Sequence, residues 1–304
     1  MQRRLLVAIN PNASFGRAHD AGPRVVESLR AAGHEVRPLV APDWDLLDER
    51  AREELDAGAD ALVVVGGDGM AHLGANLVGG TGTPLGLVPT GTGNDLAKAF
   101  GIPEHDVDAA VAGLLAGLEA EPQAIDTGIA AWNEGGTRRT RRFVGAVSCG
   151  FDAIVNERAN AMRRPKGASR YTIAILRELA RLAPIPYRIE HDGGVLELDG
   201  ALVSVANNGS IGGGMRIAPQ ASMTDGLLDL FVVEALGRTA FLRLYPKVFR
   251  GEHVSDPRVR IVRTARAVVS APGIVGYADG ERLGPMPVEV AVEPASLRFL
   301  GRTG

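Results

Sequence analysis

The sequence predicts an α/β protein: an N-terminal domain built on a doubly wound parallel sheet, followed by a C-terminal antiparallel β-sandwich. Three observations carry this. Over residues 1–130, short apolar runs alternate with segments of helical period. Those runs are apolar throughout rather than at every second position, as in strands covered on both faces. Beyond residue 183, strand-like runs follow one another closely with turn residues between them.

Taken in order, "RLLVAIN" (4–10) reads as a buried strand, 18–32 as a helix ended by Gly33, "EVRPLV" (35–40) as a strand and 45–57 as a charged helix. "ALVVV" (61–65) is a second buried strand. A helix from about Ala71, the strand "LGLVP" (85–89) and a helix from Asn94 to Phe100 follow, the last stopped by Gly101 and Pro103. "TRRTRR" (137–142) reads as an exposed turn. The second half opens with helices over 151–162 and 168–183, and one further helix, about 238–250, interrupts the strands.

Bulk properties narrow the class. The chain has 304 residues, ample for two domains, and a net charge of −3 that argues against a dedicated nucleic-acid binder. A single cysteine, Cys149, fits a reducing compartment. The N-terminal apolar run is too short for a secretory signal, and no stretch approaches the ~20 apolar residues of a membrane span. A cytoplasmic protein is expected, with any membrane contact peripheral.

The stretch "VVVGGDGMAHLG" (63–74) sets Gly66, Gly67 and Gly69 around Asp68, between a strand and a helix. Ligands of open parallel sheets gather at this strand end, where backbone N–H groups and the helix dipole favour phosphate oxygens. A tight turn that needs glycine accounts for the glycines equally well. "VPTGTGNDLAKAFGIP" (88–103) repeats the arrangement: Thr90 and Thr92 supply hydroxyls, and Asn94 or Asp95 caps the next helix. The first strand leads into a third polar loop, "NPNASFGRA" (10–18). Three such loops on one sheet edge point to a nucleotide, although neither a P-loop nor a dinucleotide fingerprint is present. A carboxylate beside phosphate is tolerable when a divalent cation lies between them, so Asp68 reads as a magnesium-side residue.

In chain order, "INPNA", "GGDG", "PTGTGNDLAKAFGIP", "AIDTG", "APQASMTDGLLDL" and "DGE" resemble the soluble bacterial diacylglycerol kinases, relatives of the sphingosine and ceramide kinases. The resemblance runs from about residue 5 to residue 300. "GGDG" is shared with NAD kinases and phosphofructokinases; "GTGNDLAKAFGIP" and "DGLLDL" are more specific. The resemblance implies ATP bound at a cleft between an α/β nucleotide domain (1–130, joined by a C-terminal strand within 293–304) and a β-sandwich domain (131–292). It places nucleotide contacts at Asn10, Pro11, Asn12, Ala13 and Ser14, over Gly67 to Leu73, and at Thr92; the loops themselves add Gly66, Thr90 and Asn94. A family threonine falls near Ala41, and the threonine that closes "GGDGT" is Met70 here, so two hydroxyls are missing while backbone contacts of Gly69 and Met70 remain. His72 reads as a packing or surface residue. The resemblance also implies a structural magnesium loop, with Asp225 giving a carboxylate and Ser222 and Leu227 backbone carbonyls, where the residues alone suggest an Asp-Gly turn. Asp126 is implied to join a charged network of the cleft.

The implied reaction moves the γ-phosphoryl of ATP to a lipid hydroxyl. In "YADGERLGP" (277–285) the resemblance makes Glu281 the proton acceptor, with Asp68 its rival; the residues alone suggest a hairpin turn with exposed acids. A diacylglycerol substrate stays in the bilayer. Arg163, Arg164, Lys166 and Arg170 before an apolar helix, with Lys98 and Arg17 on loops, suggest peripheral contact with an anionic inner membrane face. The family often pairs through the sandwich domain, which implies a homodimer. Rival readings are an NAD kinase-like phosphotransferase, a decayed kinase scaffold that binds lipid or nucleotide, and a different lipid alcohol as acceptor.

Overall fold

The computed structural model describes residues 1–10, 20–162 and 168–301. The chain forms two units, Met1–Thr127 with Pro294–Gly304, and Gly128–Glu293.

The first unit alternates strand and helix: β1 (Arg4–Ile9), α1 (Ala21–Ala31), β2 (Glu35–Leu39), α2 (Trp44–Asp56), β3 (Ala61–Gly66), α3 (Asp68–Val78), β4 (Leu85–Pro89), α4 (Asp95–Ala99) and α5 (Val107–Glu119). The strands lie parallel in the order β4-β3-β1-β2, since each connection crosses over through a helix. β3 is buried along its whole length, as its unbroken apolar run requires. Leu5, Val7, Val63 and Val65 of the sheet pack against Val25 and Leu29 of α1 and Leu114 of α5. Asp43 and Asp106 cap α2 and α5, accepting from the N–H groups of Leu46 and Ala109 at 3.0 Å each. α3 begins at Asp68 rather than near Ala71, and α5 is a helix beyond those expected from the sequence.

The second unit holds β5 (Gln123–Glu134, leading in from the first), β6 (Thr137–Phe143), β7 (Ala146–Ser148), α6 (Phe151–Ala161), α7 (Ala168–Leu179), β8 (Ile185–His191), β9 (Gly194–Ala206), β10 (Leu228–Glu234), α8 (Arg238–Val248), β11 (Val259–Thr264), β12 (Arg266–Ser270), β13 (Val275–Ala278), β14 (Glu281–Pro285) and β15 (Val288–Phe299). Its pairings are antiparallel. β9 changes partners at Gly200: residues up to it pair with β8, and residues beyond it with β10 and β7. A Cβ there would stand 2.9 Å from the Tyr187 ring, so the change requires glycine. Trp132, Phe143, Tyr187, Val203, Leu230, Val269 and Leu283 fill the sandwich core. α6, α7 and α8 pack on one another through Phe151, Val155, Ala174, Leu179 and Phe241. The end of β15 returns to the first unit, where Phe299 pairs in parallel with Leu85.

"TRRTRR" is not a turn but most of β6. Gly135 and Gly136, at φ 59° and 79°, make the tight hairpin that folds it onto β5. It pairs with β5 alone, and an edge strand tolerates such charge. Arg138 and Arg142 form ion pairs with Glu289 and Glu293. Among the described residues no helix is long and apolar enough to cross a membrane.

Candidate functional site

β3 and β4 are neighbours, so the loops that follow them lie side by side. The Thr90 N–H donates to the Gly66 carbonyl at 2.9 Å, joining the loops at their start. A Cβ on Gly91 would lie 2.5 Å from the Gly67 Cα, and one on Gly67 would lie 3.0 Å from the Gly91 Cα. The two loops therefore touch backbone to backbone, and glycine is required on both sides. Gly66 is needed for another reason: its Cβ would stand 2.2 Å from the Met70 Cγ. Met70 is fully buried; its side chain fills the core and leaves only backbone to a ligand, as expected of a residue without the hydroxyl.

Asp68 joins these loops. Its Oδ2 accepts from the Asn94 N–H and its Oδ1 from the Asp95 N–H, each at 2.8 Å. These donors open α4, where intrahelical acceptors are lacking. The acid of one loop thus caps the helix of the other. Asn94 does not cap: it sits at φ 53°, ψ 39°, and its Nδ2 donates to the Gly91 carbonyl at 2.8 Å. Its buried Oδ1 has no hydrogen-bond partner among the described residues. On the second loop Thr90 is half-buried and Thr92 exposed. Gly91 is the contact that sequence reasoning misses; a glycine centred in a second strand-to-helix turn is its only trace.

Other expected residues have local structural partners. The Lys98 Nζ folds back onto the Gly93 carbonyl at 2.6 Å and pairs with Glu104 at 3.5 Å. Asp126 is buried, and its Oδ1 accepts from the Ala295 N–H at 2.7 Å, where β15 bends through a positive φ of 51°. It fastens the returning strand. His72 is buried, with its carbonyl accepting from Asn76 Nδ2 at 2.9 Å, as a packing residue would be. The Asn10 N–H donates to Val65 O at 3.1 Å, which sets the end of β1 beside β3. Pro11, Asn12, Ala13, Ser14 and Arg17, and likewise Arg163, Arg164 and Lys166, lie outside the described residues.

In the second unit β13 and β14 form a hairpin whose central residues, Asp279 and Gly280, have φ of 50° and 86°. The Asp279 carboxylate accepts three backbone N–H bonds, from Val144 at 2.9 Å, Gly145 at 2.8 Å and Ala146 at 3.1 Å. Glu281, two residues on, is exposed and has no hydrogen-bond or ion-pair partner among the described residues. Arg282 pairs with Glu134 at 3.3 Å and Glu157 at 3.5 Å. The Tyr277 hydroxyl donates to Glu157 at 2.6 Å; burial, then that bond, push Tyr277 up to about 12. The acids of "DGE" thus divide into a pin and an uncommitted carboxylate on a braced turn. Chemically, the second can take a proton.

The loop expected to hold a metal is an ordered turn. Asp225 accepts from the Leu227 N–H at 3.1 Å and forms an ion pair with Arg263, while Ser222 Oγ accepts from the Thr224 N–H at 3.3 Å. Gly226, at φ 72°, completes an Asp-Gly turn. Among the described residues no three His, Cys, Asp or Glu side chains are grouped to hold a metal ion. The donor types of Ser222, Asp225 and Leu227 suit magnesium, and in this structure the Asp225 carboxylate is paired with the partly exposed Arg263.

Comparison with known proteins bears on both units. Residues 4–128 match the diacylglycerol kinase catalytic domain, and residues 145–301 match the YegS C-terminal NAD kinase beta sandwich-like domain. A diacylglycerol kinase of Mycobacterium tuberculosis is 37% identical over 296 residues, covering 96% of this chain and 93% of its own. A probable lipid kinase YegS-like of Chromohalobacter salexigens is 30% identical, over 68% of this chain and 65% of its own. The crystal structure of a diacylglycerol kinase from Bacillus anthracis superposes with a TM-score of 0.71 at 21% identity, covering 99% and 97% of the two chains. Yeast NADH kinase in complex with NADH superposes at 0.53 with 12% identity, covering 98% and 82%, a likeness of fold alone. The chain belongs to the diacylglycerol kinase family, among the YegS-like lipid kinases.

Proposed function

We propose that this chain transfers the γ-phosphoryl of MgATP to the free hydroxyl of diacylglycerol, giving phosphatidic acid and ADP. The observation that carries the reading is the doubled strand-to-helix turn, stapled by Asp68 and closed by the Gly67–Gly91 approach. A Cβ would fill that approach, and the backbone N–H groups and threonine hydroxyls of the two loops are the kind of donor a polyphosphate takes. ATP and its cation enter together as substrate.

The lipid oxygen forms a bond to the γ-phosphorus as the bond to the β–γ bridging oxygen breaks, and ADP leaves with that electron pair. The hydroxyl proton passes to Glu281, the uncommitted carboxylate of the β13–β14 hairpin. Asp68 is the weaker candidate for base because both of its oxygens already accept backbone N–H bonds. Such transfers are loose, so positioning and charge neutralisation supply most of the rate and the base a smaller part.

The test is transfer of label from [γ-³²P]ATP to lipids in mixed micelles, with diacylglycerol, a sphingoid base, phosphatidylglycerol and NAD as separate acceptors. Labelled phosphatidic acid is expected, and Glu281→Gln is expected to lose turnover by about 10²-fold or more while binding ATP as the parent does. Label on NAD and on no lipid would overturn the reading, and an E281Q enzyme that keeps most of its kcat would remove Glu281 from its role.

A further inference from the structure

The helix α8 buries two of its rows and leaves a third uncovered. Phe241 and Tyr245 pack toward α6 and α7, while Leu244 and Val248 pack toward Phe231 and Val233 of β10. Leu242, Pro246 and Phe249, spaced i, i+4, i+7 on one helical stripe, face solvent; Leu242 is 55% and Phe249 44% exposed. Phe249 continues the helical backbone at φ −65°, ψ −23°. Of the nine large apolar side chains exposed among the described residues, five lie on α7, α8 or the short turn after α8. Three of these, Leu242, Phe249 and Val254, fall within thirteen residues on α8 and the turn that follows it, a denser apolar exposure than the single residues scattered over an ordinary surface.

A cationic row runs beside the apolar one. Arg243, Lys247 and Arg250 each follow the stripe by one residue and are exposed; among the described residues only Arg250 of the three has an ion-pair partner, Glu252 at 3.5 Å. Over 235–254 four cations stand against one acid, in a chain whose net charge is −3. Helix-dipole complementation explains a cation in the last turn, but not Arg243 in mid-helix nor the exposed Leu242 and Phe249. Apolar side chains bordered by lysine and arginine are the arrangement of a helix that lies in the interface of an anionic bilayer. A second copy of the chain fits less well, because a two-fold contact on this stripe would set the cation row against itself.

We infer that α8 docks the protein on an anionic bilayer surface, with Leu242 and Phe249 inserted at the headgroup boundary and Arg243 and Lys247 against lipid phosphates. This goes beyond the proposed reaction, since docking requires no turnover. It bears on the reaction within the second unit: α8 packs on α6, and Glu157 of α6 accepts from Tyr277 in the hairpin that carries Glu281.

The test is co-sedimentation of the full chain with sucrose-loaded vesicles of phosphatidylcholine alone or with about 30 mol% phosphatidylglycerol, a probe composition of strongly anionic surface. A Phe249→Trp variant reports insertion at the site itself, read against the two native tryptophans. Expected are binding to the anionic vesicles that weakens with salt, a blue shift of the introduced indole on binding, about fivefold weaker partitioning for each of Arg243→Gln and Lys247→Gln, and on the order of tenfold weaker partitioning for Leu242→Ser with Phe249→Ser. Micelle-dispersed lipid should be phosphorylated at the parent rate by all four substitutions. Parent protein that ignores anionic vesicles overturns the inference. So does vesicle binding by the F249W protein with no spectral shift beyond that of the parent, or a shift that follows protein concentration without lipid. Insertion in a protein that phosphorylates nothing would sink the kinase reading and leave the docking intact.

Discussion

Replacing Asp68 with asparagine distinguishes a carboxylate that braces the fold from one that serves only a bound cation. The native side chain supplies two acceptor oxygens to two adjacent N–H donors, Asn94 and Asp95, at 2.8 Å each. Asparagine keeps one acceptor and turns an NH₂ group toward the other donor. One charge-assisted bond, about 1.5–3 kcal/mol, is lost and a donor is left facing a donor. The position is only half-buried, so water relieves part of the loss, and a net cost of about 2 kcal/mol follows. For a unit of this size that lowers Tm by roughly 4–8 °C. The measurement is scanning calorimetry of ligand-free protein in EDTA, beside ATP-binding calorimetry. Bracing requires the ligand-free variant to melt early. A D68N protein that melts with the parent in EDTA and fails only when MgATP is present would refute the staple and return Asp68 to the cation.

Gly91→Ala places a Cβ 2.5 Å from the Gly67 Cα, so the loops must part by about 1 Å, and ATP affinity measured by titration calorimetry should fall at least about tenfold. Asp279→Ala unpins the hairpin from three N–H groups; kcat on diacylglycerol should drop with a stability loss on the order of 3 kcal/mol by denaturant unfolding, whereas Glu281→Gln should leave stability unchanged. His253 is buried, and burial holds its pKa below the usual 6.5 although its Nε2 bonds the Ile217 carbonyl at 3.0 Å. The unfolded chain therefore takes up this proton first as pH falls, so the stability present above about pH 6.5 is lost toward acid; the fall in Tm from about pH 7 to about pH 5 should be smaller in His253→Gln.

What the sequence discloses is whatever leaves a local pattern. The apolar runs at 4–10, 61–65 and 85–89 announce the parallel strands, and glycines at the ends of two of them announce the loops. α5 escapes because Val107–Glu119 is rich in alanine, leucine and glycine and has little polar face to set a period, although Asp106 is a readable cap. β6 escapes because its charges look like a solvated turn; their counter-charges, Glu289 and Glu293, are far along the chain. The site acids fail in the same way. Asp68, Asp126, Asp225 and Asp279 are legible as acids near glycine, but their partners Asn94, Ala295, Arg263 and Gly145 come from other loops and strands, and no spacing within a motif names them.

The acid in the glycine cradle has an explanation that needs no cation at all. Two neighbouring N–H groups at a helix start call for two acceptors and no donor; a carboxylate meets this, while serine offers one oxygen with a proton and asparagine one oxygen with an amine. Because the Asp68 oxygens point into the start of α4, its charge is spent on that helix's dipole and the start of α3 stays available to an anion. Asp279 repeats the device in the second unit, again next to a glycine, again collecting backbone donors from a distant loop. In both "GGDG" and "DGE" the aspartate holds the backbone that presents a neighbour. It follows that loss of activity at either aspartate is no evidence of a proton-transfer role, since each would lose activity through geometry alone. Only an acid whose removal spares the fold and the nucleotide affinity while stopping turnover qualifies as the base, and Glu281, without a partner among the described residues and held on a pinned turn, is the carboxylate placed to pass that test.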